Sequence, residues 1–182
     1  MLKHFNIDYD FSFILNNLYK GYTSGALLKA AKLPAMVEDY EPFGGLSKSY
    51  NEQNTKHFRR EWTKKIFNLK NIQKQLNLKH VLTITSLIQQ PGNTLPVHRD
   101  KHWEAGNRGL HDLQGTFVRA NIFLEDWKPG HTLQYEIEGK WHSCINWKAN
   151  DGIVWDQDHY HLSGNSGMLD KVTLQISGVI NE

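Results

Sequence analysis

The chain has 182 residues, enough for one domain with its own hydrophobic core. Its 21 Lys and Arg against 19 Asp and Glu leave a net charge of +2, which argues against a protein held to nucleic acid by electrostatics. One cysteine, Cys144, excludes an intramolecular disulfide framework and a cysteine-based zinc cluster. No apolar run is long enough to span a membrane, and the first residues lack a signal peptide's apolar stretch. We therefore expect a cytoplasmic protein with no membrane partner.

Residues 1–78 are predicted to be largely helical. The expected helices cover 11–18, 26–33, which Pro34 ends, 51–69 and a short stretch ending at Leu76. The longest of them depends on the spacing of Phe58, Trp62 and Ile66. A loop rich in Pro and Gly is expected over 38–48.

From His80 the pattern changes to short β-strands separated by turn residues. The expected strands cover 81–89, 95–98, 117–124, 132–137, 140–147, 152–155, 160–163 and 172–179. Eight short strands in about a hundred residues are typical of a sandwich or jelly roll. We predict a mainly β fold with flanking helices in a single domain over 1–182, in which the helical region 1–78 packs on an eight-stranded core over 79–182.

Histidine and tryptophan are concentrated between positions 98 and 161. His98 and Asp100 are two residues apart, so on an extended chain their side chains point the same way. Such a pair alone is more often a surface ion pair than a ligand pair. A histidine farther along, His161 or His159, would complete a two-His-one-carboxylate set, which leaves positions open on a non-haem Fe(II) ion. The two histidines have the same strand parity, so alternation leaves both candidates open.

Lys171 begins the last apolar strand, ten residues after His161. A lysine at a strand start is usually a solvated edge residue, but beside a metal site it can bind a carboxylate co-substrate. His98-x-Asp100, His161 and Lys171, in this order and spacing, resemble the motif of the Fe(II)- and 2-oxoglutarate-dependent oxygenases. The lysine resembles the prolyl 4-hydroxylase branch. His161-x-x-x-Asn165 and the residues after Lys171 are similar to small bacterial and phage-type members and to the aspartyl/asparaginyl hydroxylase-like group.

The resemblance covers about 80–182 and implies a double-stranded β-helix (jelly-roll) core. It implies that His98, Asp100 and His161 are the catalytic metal ligands for Fe(II), and its spacing favours His161 over His159. It also implies that Lys171, helped by Thr173, binds 2-oxoglutarate. The expected reaction consumes O2 and hydroxylates a C–H of an amino-acid-like or peptidyl substrate, with succinate and CO2 as co-products and ascorbate as a stimulant.

Several side chains near the motif are candidates for substrate binding, although Arg119 could equally face outward. These candidates are Arg119, Trp103, Arg108, His111 and Asn165. His57 has no partner motif and is interpreted as an ordinary surface residue. The sequence does not indicate an oligomeric state.

Two other classes of function stay open. A cupin-like metal protein with non-oxidative chemistry would share the jelly roll, but it would have no need of Lys171. A non-enzymatic jelly-roll module could use its tryptophans to stack on sugars, but that interpretation leaves His98, Asp100 and His161 without a role.

Overall fold

The computed structural model describes residues 1–26, 34–100, 113 and 115–180. Trp103, Arg108 and His111, which are predicted to contact substrate, lie outside these residues, and so does most of the helix predicted over 26–33.

The described residues form two antiparallel sheets. The strands are β1 Leu2–Asn6, β2 Thr23–Ala26, β3 Lys56–Glu61, β4 Leu78–Gln89, β5 Asn93–His98, β6 Phe117–Phe123, β7 His131–Ile137, β8 Lys140–Cys144, β9 Asp151–Asp156, β10 His161–Asn165 and β11 Lys171–Ile180. The larger sheet has the order β1-β9-β6-β11-β4-β3-β2, and the smaller has the order β5-β10-β7-β8.

The topology of β4 to β11 is that of a jelly roll. Among the described strands from β4 to β11, the chain passes from one sheet to the other at every connection except that between β7 and β8, which form a hairpin within the small sheet. The prediction of a mainly β protein with eight strands after His80 is therefore confirmed, with boundaries that differ by a few residues. These strands place one face of each sheet opposite the other, and a group of buried polar side chains lies between the two faces.

The N-terminal region differs from the predicted helical support. It contributes β1, β2 and β3 to the large sheet, and its helices are short: α1 Ser12–Leu15, α2 Pro34–Tyr40, α3 Leu69–Leu76 and 3-10 turns at Glu41–Phe43 and Lys64–Ile66. The helix predicted over 51–69 is wrong, because Lys56–Glu61 pairs with β4 and places Phe58 opposite Ile88. The long strand β4 offers an edge whose hydrogen-bonding groups need partners, and this pairing overrides the helical spacing of the apolar residues. Part of the loop predicted over 38–48 is α2 and the 3-10 turn that follows it.

The two faces of the large sheet have different roles. Its outer face is apolar and packs against α1 and α3, with Ile84, Leu174 and Ile176 completely buried. Helix α3 begins where the Asn68 side chain accepts a hydrogen bond from the Asn71 amide, and it ends at Asn77 in the left-handed conformation. The inner face presents Trp155 to the small sheet. No described helix is long and apolar enough to cross a membrane.

Candidate metal site and co-substrate pocket

His98, Asp100 and His161 form a compact buried cluster between the two sheets. One ligand atom from each residue lies within 4.8 Å of the others, and the residues are 8%, 6% and 4% exposed, respectively. The antiparallel pairing of β5 with β10 places His161 directly opposite His98, with ring centroids 4.3 Å apart. Asp100 follows two residues after His98, beyond the end of β5. The structure thus brings together the three residues that the motif predicts as ligands.

Both histidines are oriented by backbone carbonyls. Nδ1 of His98 lies 2.7 Å from the Pro96 carbonyl oxygen, and Nδ1 of His161 lies 3.1 Å from that of His159. A protonated Nδ1 donates to the carbonyl in each case, which leaves the Nε2 lone pair free for a metal. Burial, together with the nearby His98, lowers the pKa of His161 to about 3. His161 is therefore neutral at physiological pH, the form that binds a metal ion.

The alternative ligand His159 lies elsewhere. Its Nδ1 is 2.7 Å from Oδ1 of Asp156, whose other oxygen contacts the amino group of Met1. His161 Nε2, by contrast, lies 3.6 Å from Oδ2 of Asp100.

Asp100 is held through both of its carboxylate oxygens. Nη1 of Arg119 donates to Oδ1 at 2.5 Å, and Nε1 of Trp155 donates to Oδ2 at 2.8 Å. Nε of Arg119 also donates to Oγ of Ser177 at 3.3 Å. Arg119 therefore points inward, and its guanidinium forms an ion pair with Asp100. A substrate carboxylate would have to compete with Asp100 for it.

Lys171 lies on the inner face at the start of β11 and is buried. Its Nζ donates to the Thr132 carbonyl and to Oγ of Ser163 at 2.7 Å, and Ser163 donates in turn to Oε1 of Gln89 at 2.9 Å. Burial lowers the pKa of Lys171 to about 7. Lys171 is therefore not the solvated edge residue that a lysine at the start of a strand usually is.

A single pocket joins this lysine to the histidines. Its lining includes His98, His161, Lys171, Thr173 and also His57. The interpretation of His57 as a surface residue is wrong, because β3 places its half-buried imidazole in the pocket wall. Burial lowers its pKa, and its Nδ1 has no hydrogen-bond partner among the residues that the structure describes. Assignment of Lys56–Glu61 as a strand would have placed His57 and Phe58 on opposite faces of a sheet, which is the signal that the helical prediction missed.

Asn165 lies at the end of β10 with its amide fully engaged. Nδ2 donates to the carbonyls of Gln89 at 2.7 Å and Leu169 at 2.9 Å, and Oδ1 accepts from the Gly167 amide at 3.0 Å. The side chain holds the turn between β10 and β11. Its predicted contact with substrate would require some of these bonds to break.

No protein-family model and no curated protein sequence matches the chain. Solved structures do match it in fold. A prolyl-4-hydroxylase from Pseudomonas putida superposes with a TM-score of 0.51 at 16% identity, covering 93% of this chain and 98% of the other. The non-heme alpha-ketoglutarate-dependent carbocyclase SnoK from nogalamycin biosynthesis has a TM-score of 0.53 at 12% identity, with coverage of 95% and 85%. The corresponding epimerase SnoN gives 0.52 at 10% identity, with coverage of 94% and 84%.

The fold that these structures share with the chain is the fold that the motif resemblance implies. The chain shares its fold with these three structures, and His98 and His161 of its buried cluster line the pocket between the two sheets. The resemblance stated from the motif is confirmed at the level of the fold.

Proposed function

We propose that the protein is an Fe(II)- and 2-oxoglutarate-dependent dioxygenase that hydroxylates a C–H of an amino-acid-like or peptidyl side chain. Succinate and CO2 are the co-products, and O2 is the oxidant. The observation that carries the proposal is that one pocket is lined both by His98 and His161 of the buried His98–Asp100–His161 cluster and by the buried Lys171. A metal protein with non-oxidative chemistry has no use for that amine.

The cluster fits Fe(II) by the chemistry of its donors. Two imidazole Nε2 atoms and one carboxylate form the two-His-one-carboxylate set suited to non-haem Fe(II), with positions left for other ligands. Bound Fe(II) supplies activation of O2. The protein's own residues keep His161 neutral and hold the Asp100 carboxylate through Arg119 and Trp155.

Lys171 supplies the charge for the co-substrate. A protonated Nζ pairs with the far carboxylate of 2-oxoglutarate, and the Thr173 hydroxyl lies on the same face two residues along β11. Ser163 and the Thr132 carbonyl fix the position of Nζ. Contact with an anion favours the protonated amine, so we expect co-substrate binding to take up a proton when the pH is above about 7.

Two observations support an amino-acid-like or peptidyl substrate. The motif resembles the prolyl and aspartyl/asparaginyl hydroxylase groups, and one similar structure is a prolyl-4-hydroxylase. The sugar-binding alternative receives little support from the tryptophans that the structure describes. Trp62, Trp147 and Trp155 are buried, and Trp147 stacks on Phe123. Trp155 lines the pocket, but it is only 1% exposed and its Nε1 donates to Asp100. Trp141 is exposed but does not line the pocket.

The test has two stages. Anaerobic addition of 2-oxoglutarate to the protein with Fe(II) should produce a metal-to-ligand charge-transfer band in the visible spectrum. Admission of O2 with ascorbate should then release succinate, and a screen of free amino acids and peptides should identify substrates that accelerate the release. If neither the band nor succinate is observed, the proposal is wrong. Succinate release that no amino acid or peptide accelerates, but another small molecule does, would overturn only the substrate class.

A further inference from the structure

Helix α2 reaches the peptide that joins two of the metal ligands. Asp39 of α2 is completely buried, and its Oδ1 lies 2.8 Å from Nε and 2.7 Å from Nη2 of Arg99. Its Oδ2 accepts a longer hydrogen bond, 3.4 Å, from the Arg99 backbone amide. Arg99 is the residue between His98 and Asp100, so one carboxylate of the N-terminal region binds both the side chain and the backbone at this point.

The same arginine contacts the segment that leads into the third ligand. Its guanidinium lies 5.0 Å from the centre of the Tyr160 ring, and Tyr160 directly precedes His161. Phe43, in the 3-10 turn after α2, packs edge-on against Tyr160 at 5.3 Å. The N-terminal region therefore contacts both ligand-bearing segments, from one short stretch of chain.

Both segments need such support. Strand β5 ends at His98 and β10 begins at His161, so Arg99, Asp100 and Tyr160 lie outside the strands. Residues beyond a strand end lack the ladder of backbone hydrogen bonds that fixes the strand itself. Tyr160 keeps one backbone hydrogen bond, because its carbonyl accepts from the Glu136 amide at 2.9 Å. The Arg99 amide instead donates to the side chain of Asp39, and each degree of freedom left open at such a residue costs free energy when a ligand orders it.

We propose that Asp39 is a positioning residue for the metal centre, acting through Arg99 to fix the backbone between His98 and Asp100 and the approach to His161. The inference depends on the proposed function only in requiring that the cluster binds a divalent metal. The N-terminal region thereby helps to form the metal site, through a contact between two residues that are sixty positions apart in the sequence.

Substitutions of Asp39 and Arg99 can distinguish a positioning effect on metal binding from the direct effect of their charges. Asp39→Asn removes a negative charge and a hydrogen-bond acceptor, and both losses weaken divalent-metal binding. Arg99→Met removes a positive charge near the ligands, which by Coulomb's law alone would strengthen binding, but it also removes the contacts that hold the segment. Positioning therefore predicts that both variants bind metal more weakly, whereas charge alone predicts opposite effects.

The experiment measures the Kd of Mn(II) by isothermal titration calorimetry on the full chain, under anaerobic conditions. We expect Asp39→Asn and Arg99→Met each to weaken binding about 10-fold or more, the usual effect of removing a contact that orients a ligand. The control is Asp126→Asn, which breaks the exposed ion pair with Lys148 and should leave Kd unchanged. Tighter binding by Arg99→Met, or an unchanged Kd for Asp39→Asn, would overturn the proposal.

Two further measurements keep the test decisive. Arg99→Lys retains the charge but cannot reproduce the paired contacts of the guanidinium, and it should bind Mn(II) several-fold more weakly even if Asp39→Asn fails to fold.

At saturating Mn(II), the affinity of these variants for 2-oxoglutarate should stay within about twofold of that of the wild type. A parallel loss of co-substrate affinity would instead indicate general loosening of the fold and would overturn the proposal. A wild-type protein that binds no Mn(II) would refute the metal site itself, which is a different outcome.

Discussion

We expect the ion pair with Arg119 to stabilise the buried Asp100 carboxylate when no metal is bound, and the Arg119→Met variant tests this. Asp100 is buried, so its charge needs a partner within the protein. Removal of one member of a buried ion pair typically costs about 3–5 kcal/mol, because the other charge is left uncompensated. The Arg119 side chain is 23% exposed and Trp155 still donates to Asp100, so we expect the lower end of that range, about 3 kcal/mol.

For a chain of this size, 1 kcal/mol shifts Tm by roughly 2–4 °C, so the metal-free variant should unfold about 6–12 °C below wild type. A bound divalent ion supplies the positive charge that Arg119 no longer provides. Saturating Mn(II) should therefore raise the Tm of Arg119→Met by more than it raises that of wild type. Arg119→Lys, which keeps the charge, should fall between the two proteins. The reasoning fails if the metal-free Tm is unchanged, or if the deficit is the same with and without Mn(II).

Three further outcomes are expected. Lys171→Met should weaken 2-oxoglutarate binding by about 100-fold, by loss of a buried charged contact, while Mn(II) affinity changes little; equal loss of both would indicate a structural lysine. Since the pKa of Lys171 is lowered to about 7, the amine is neutral above that pH, and 2-oxoglutarate affinity should fall up to about tenfold per pH unit between pH 7 and 9; a flat profile by calorimetry would contradict this. His161→Ala should abolish Mn(II) binding and His159→Ala should not, and the reverse result would exchange the two assignments.

The features that the sequence predicted well are those with a local signal. Turn residues delimit the eight core strands, and a two-residue spacing on an extended chain identifies His98 and Asp100 as a pair. The choice of Lys171 rested on the resemblance to the oxygenase motif, in which it follows His161 by ten residues, and the structure places that lysine in the pocket.

The features that the sequence did not predict are set by partners far away in the chain. Strand β3 forms because β4 offers it an edge, a fact that the spacing of Phe58 and Trp62 does not contain. His57 enters the pocket only as a consequence of that pairing. The contact between Asp39 and Arg99 joins residues that no periodic pattern relates, and it exists because the fold brings α2 to the end of β5.

Strand β11 holds the Lys171 amine at a fixed place in the large sheet. Its inner-face residues run from Lys171 at one end to Ser177, which contacts Arg119 beside Asp100, at the other. Hydrogen bonds to β4 and β6 hold it on both sides, so it cannot slide to suit a longer molecule. The cluster histidines lie on β5 and β10 of the other sheet, so the distance between the Lys171 amine and the cluster is set by the packing of the two sheets. Under the proposed function, a 2-oxo diacid longer by one methylene should lose either its contact with Lys171 or its approach to the metal, so the pocket should distinguish diacids of equal charge by their length.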